Sequence, residues 1–159
     1  MSDLPPPGLY RTTLAHPLAP REIPASALVY VGTSPEGDFV VRPHHNENNR
    51  WFWHAPTTPL DDAEWARTLM VLPIEGFYTL PEAIELEGGG RWLANALVQL
   101  GYDGEGHGIL FIAERRANRE ENALFFSDRG LRIADELLKR LRWAAILPIS
   151  DSPDGHTRH

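Results

Sequence analysis

The sequence predicts a mainly β protein: two tandem five-stranded barrels, residues 8–75 and 76–150, with an arm before them (1–7) and a disordered polar tail after them (151–159). Three observations predict it. Short stretches recur in the same order in the two halves of the chain. The segments around them alternate apolar and polar residues with a period of two. Gly, Pro, Asp and Ser cluster between those segments, where a chain reverses.

A repeat dictates the whole architecture, so the recurrences come first. Gly8-Leu9-Tyr10 returns as Gly76-Phe77-Tyr78, at an offset of 68. The stretch from Ala25 to Gly32 returns as Ala94 to Gly101, at an offset of 69, and Gly37 returns as Gly106 in that same register. Leu72-Pro73-Ile74 returns as Leu147-Pro148-Ile149, at an offset of 75, with Arg67 and Arg142 in step. The offset only grows, as insertions in the loops of a second copy require.

Each copy opens with a short strand at Tyr10 or Tyr78. A Pro- and Gly-containing excursion follows, Pro17 to Pro24 and Pro81 to Gly90. The next strand sets Ala27, Val29 and Val31 on one face, or Ala96, Val98 and Leu100 in the second copy. Ser34-Pro35-Glu36-Gly37-Asp38 and Asp103-Gly104-Glu105-Gly106 then supply hairpin turns, and the chains return over Phe39 to Arg42 and Ile109 to Ala113. Polar loops, Pro43 to Asn49 and Glu114 to Asn122, lead to aromatic strands at Arg50 to Trp53 and Ala123 to Phe126. One short helix comes before each last strand. Asp61 caps the first, with Glu64 three positions on and Trp65 and Leu69 on one face. The second runs from Ala134 to Arg142 with Leu137, Leu138 and Leu141 on one stripe. The closing strands are Met70 to Ile74 and Ala144 to Ile149.

Four strands, a helical turn and a fifth strand in this order and size resemble an SH3-like barrel. CheW-type signalling adaptors are similar in combining two small five-stranded barrels, but the Asn-x-Arg-Gly signature of that family has no counterpart in this chain. The resemblance implies a fold, and no activity is carried over.

Composition narrows the function classes. A hydrophobic fraction of 42% with 23% charged residues is that of a globular protein. No run approaches the ~18 consecutive apolar residues of a membrane helix. Met1-Ser2-Asp3-Leu4 lacks the basic start of a secretory signal, so a soluble cytoplasmic protein is expected. The absence of cysteine excludes disulfides, thiolate nucleophiles and thiolate zinc sites. A net charge of −7 disfavours nucleic acid and anionic membranes. Lys139 is the single lysine among 15 basic residues, an arginine bias that a GC-rich bacterial genome produces without selection for phosphate binding.

The densest polar cluster is Arg42-Pro43-His44-His45-Asn46-Glu47-Asn48-Asn49-Arg50. Two histidines and a carboxylate supply N and O metal ligands. Adjacent side chains of an extended segment point to opposite faces, however, so His44 and His45 are not expected to converge. No metal and no cofactor is therefore expected. The second copy has Glu114, Arg115, Arg116, Arg119, Glu120 and Glu121 in the corresponding loop and no histidine, a mixture whose charges largely cancel. Trp51 and Trp53 share one face of their strand, and Leu124 and Phe126 stand at the matching positions, which favours an inward face. There is no Gly-x-Ser-x-Gly elbow or Walker loop, and Gly88-Gly89-Gly90 reads as a turn.

A non-enzymatic protein-interaction module follows: an adaptor, regulator or inhibitor-type subunit whose partner is another protein with a basic surface. The residues expected to meet that partner are Arg42, His44, His45, Glu47, Arg50, Trp51 and Trp53. The alternatives are a metal-assisted enzyme using His44, His45 and Glu47, and a barrel binding single-stranded nucleic acid.

Overall fold

The computed structural model describes residues 4–56, 58–115 and 124–145. In chain order the first half carries β1 (Gly8–Arg11), β2 (Leu28–Ser34), β3 (Gly37–Val41), β4 (Pro43–Glu47), β5 (Arg50–Trp53), β6 (Thr58–Pro59), α1 (Ala63–Ala66) and β7 (Met70–Val71). The second carries β8 (Gly76–Thr79), β9 (Ile84–Glu85), β10 (Arg91–Trp92), β11 (Leu97–Tyr102), β12 (Gly108–Glu114), β13 (Phe125–Phe126), β14 (Leu131–Arg132), α2 (Asp135–Arg140) and β15 (Arg142–Trp143). The fold is mainly β, with 42% strand and 8% helix. No helix is long and apolar enough to cross a membrane among the described residues.

The first sheet runs β6-β3-β2-β1-β7, and the second runs β13-β12-β11-β8-β15 with β14 also on β12. Among the described residues neither sheet closes into the barrel that the sequence predicts. The aromatic strand β5 is diverted: it pairs with β4 in a separate hairpin. The polar stretch read as a loop is therefore itself a strand. Asn48 and Asn49 take φ of 52° and 65°, the left-handed pair that a tight hairpin turn needs. A partner just across that turn costs less chain entropy than a distant sheet edge, so the local pairing wins.

Corresponding bonds recur in the halves. Tyr10 donates its hydroxyl to the Pro6 carbonyl and Tyr78 to the Ile74 carbonyl, both at 2.7 Å. Ser26 and Asn95, with φ of 55° and 66°, lie just before β2 and β11. Their N–H groups donate to the carbonyls of Thr12 and Leu80, each at 2.9 Å. The second copy of the Leu-Pro-Ile match, Leu147 to Ile149, lies outside the described residues. Tyr10 faces Val71, and Tyr78 faces Trp143, so the first strand of each half pairs with a short closing strand. The helix caps also move. Asp62, not Asp61, accepts from the Trp65 N–H at 3.0 Å, and α2 starts at Asp135 with no side-chain cap.

Among the described residues the interior has two clusters. Tyr10, Val29, Val31 and Val40 pack with Trp65 and Ala66 of α1 on one face of the first sheet. On its other face Leu9 and Leu28 join Tyr78, Val98, Leu100, Tyr102, Leu110 and Leu138 of the second half. Strands β1 and β2 are thus buried on both faces, and the halves share one core. Polar ties cross the same joint. The Leu28 N–H donates to the Gly104 carbonyl at 3.0 Å, and the Tyr102 hydroxyl donates to the Pro73 carbonyl at 2.5 Å.

Candidate functional site

The β4–β5 hairpin stands apart from both main sheets and carries most of the residues singled out from sequence. Cross-strand partners share a face, so the pairs His45–Phe52 and Glu47–Arg50 build one outer surface. On it the His45 ring stacks on Phe52, with centroids 4.8 Å apart and planes 3° from parallel. Arg50 lies over the same phenyl at 5.7 Å, and Glu47 approaches His45 Nε2 at 3.5 Å. Phe52 is 39% exposed although it is fully apolar.

The register shifts between Pro43 and His45, and that irregularity corrects the expectation that the two imidazoles stay apart. A bulge re-aims one side chain relative to simple alternation. His44 Nδ1 and His45 Nδ1 come to 2.7 Å, and His54 brings a third ring 4.7 Å from that of His44. Yet no group of three or more His, Asp or Glu side chains converges in a metal-holding arrangement among the described residues.

Arg42 departs from the others. Its Nη1 donates to the Leu28 carbonyl at 2.8 Å and to the Gly104 carbonyl at 3.2 Å, and burial pulls its pKa down. It ties the halves together rather than joining the hairpin's outer surface. Trp51 and Trp53 point away from that surface, half-buried against the shared core. Trp51 donates its indole N–H to the Tyr102 carbonyl at 2.8 Å, and the Trp53 ring lies 5.5 Å from that of Tyr30. The second polar loop, Glu114 to Asn122, falls mostly outside the described residues, as do Ala123, Leu147 to Ile149 and the tail.

At the hairpin's base the two indoles form the wall of an open groove of about 880 Å³. Tyr30, Phe77 and Gln99 line it too, and Glu75 lies within it. No family model, no curated protein and no solved structure matches this chain.

Glu75 does not stand out in the sequence, where it is one acid between Ile74 and Gly76 at the boundary of the halves. Its Oε2 is shielded from solvent and has no hydrogen-bond partner among the described residues. Burial pushes the carboxyl up from 4.5 to about 7, against the opposing pulls of the Trp51 main-chain amide and the Arg50 charge. Unfolded chains release this proton first, so folding stability falls as pH rises from about 4.5 to about 7 and is flat below that window. Glu75→Gln removes the titration. The variant should gain on the parent across that window by on the order of 1 kcal/mol, once solvent screening of a half-buried carboxyl is allowed for. Urea unfolding of both proteins at several pH values checks this; a stability difference independent of pH would contradict it.

Proposed function

We propose that this chain is a protein-interaction module that docks its partner through the β4–β5 hairpin and the groove at its base. The observation that carries the reading is the hairpin's outer surface: an exposed phenyl framed by imidazole, guanidinium and carboxylate groups. Interfaces are built from such mixtures, an aromatic or arginine anchor within a polar rim. The net charge of −7 favours a partner with a basic surface by steering encounter.

We read the halves as copies of one SH3-like unit. The support is the shared strand order, in which β1 lies between β2 and β7 while β8 lies between β11 and β15. The paired tyrosine–carbonyl bonds and the left-handed Ser26 and Asn95 add to it. On this reading the polar loop of the first copy has become the hairpin that meets the partner.

Replacing His44, His45, Glu47 and Arg50 together with alanine tests the site. All four are exposed, so each change should shift stability by no more than ~0.5 kcal/mol. Affinity for the partner recovered from the native lysate should fall about tenfold or more if one of them is a hot spot. A folded variant that holds that partner with unchanged affinity would sink this assignment.

A further inference from the structure

We propose that the groove between β5 and Glu75 receives a basic side chain, the ammonium of a lysine or the guanidinium of an arginine, projected from the partner protein. This inference rests on the interaction reading above and names the chemistry of its deepest contact.

The aromatic faces come first. Tyr30 and Trp53 sit 5.5 Å apart with planes inclined by 32°, and Trp51 is held in place by its bond to the Tyr102 carbonyl. These rings are oriented by the fold before any ligand arrives. Tyrosine and tryptophan faces carry negative quadrupolar potential and attract cations, more strongly where water is displaced.

The carboxyl decides the sign. Glu75 Oε2 is a shielded oxygen with no hydrogen-bond partner among the described residues. A neutral apolar group filling the groove would leave it unsatisfied, and an anion would be repelled by it. A cation seated in the groove supplies the countercharge to this carboxylate once it ionises. Arg50, the cation whose charge reaches Glu75, packs over Phe52. Arg50 and Phe52 also line the groove, yet the Arg50 charge only partly offsets the burial of the carboxyl, which stays raised. Tyr102 couples electrostatically to this carboxyl, and Tyr30 lines the same groove. Burial raises the Tyr102 value far above its ordinary one, so it stays neutral beside Glu75.

Three blocked tripeptides with a central arginine, lysine or norleucine serve as probes, titrated into the full-length protein while the indole N–H signals of Trp51 and Trp53 are followed by NMR. The arginine or lysine peptide should bind at least about fivefold tighter than the norleucine peptide, and comparing the two identifies which cation is preferred. Affinity for the basic peptides should rise through about pH 7, where Glu75 ionises. Glu75→Gln should weaken basic-peptide binding about fivefold and abolish that pH dependence, while norleucine binding stays as it was. Equal binding of norleucine, or basic-peptide binding undiminished in Glu75→Gln, overturns the proposal. If the hairpin variant meanwhile loses the partner, the interaction reading stands and only the cation assignment fails.

Discussion

Leu28→Ala is expected to lower the free energy of unfolding by about 3 kcal/mol and to do so in one cooperative transition of the whole chain. Leu28 is fully buried, and a leucine truncated in a packed core loses its transfer free energy and leaves a cavity. Its position sets the cooperativity. The residue belongs to the first sheet, yet its side chain packs in the cluster dominated by Val98, Leu100, Tyr102 and Leu110 of the second. Damage there removes contacts that both halves need. Tryptophan fluorescence and far-ultraviolet circular dichroism should therefore report the same midpoint for parent and variant alike. Two separated transitions, with only the first half weakened, would refute the shared core.

Asp135→Ala is expected to cost about 2 kcal/mol, because it strands a buried cation. Arg11 reaches from β1 to the start of α2, and its Nη2 meets Asp135 Oδ1 at 2.7 Å. The arginine side chain is only 10% exposed, whereas Asp135 keeps 43% of its surface in solvent. That asymmetry makes loss of the acid the damaging change. The guanidinium would be left with the Met70 sulfur at 3.0 Å, a weak acceptor. Arg11→Met in the same chain removes the stranded charge and should recover part of the loss, giving a measurable coupling in a double-mutant cycle. A cost for Asp135→Ala below ~0.5 kcal/mol would show that the pair behaves as an ordinary surface contact.

The groove is harder to foresee than the hairpin. Asn48 and Asn49 announce a turn, and Arg50-Trp51-Phe52-Trp53 announces a strand, so the hairpin's parts are present in the residue order. Two local facts still escape a reading of that order. Pro43 to Glu47 contains no apolar alternation, and its strand exists only because the turn presents it to β5. The bulge that joins His44 to His45 leaves no mark in composition, since it arises from a register shift between two strands. Glu75 carries no signal at all. Its character comes from burial, opposed by the Trp51 main-chain amide and the Arg50 charge, both of them on β5 and distant along the chain.

Residue order is enough to dictate the mainly β class, the strands at Tyr10, Val29, Tyr78 and Val98, the turns between them and the two short helices with their apolar faces. These follow from interactions among near neighbours in the chain: alternation, turn conformations and helical spacing. It also carries the correspondence of Ser26 with Asn95, which reappears as the same left-handed backbone. Long-range packing settled the open sheets, the separate β4–β5 hairpin, the register of the closing strands and the placing of Arg42 between the halves. Above all it settled that β1 and β2 bury both faces, since the second face meets side chains from the other half of the chain. Period-two alternation marks one face of a strand as apolar, but whether the other meets water or another sheet depends on how whole layers stack, through contacts no local pattern encodes.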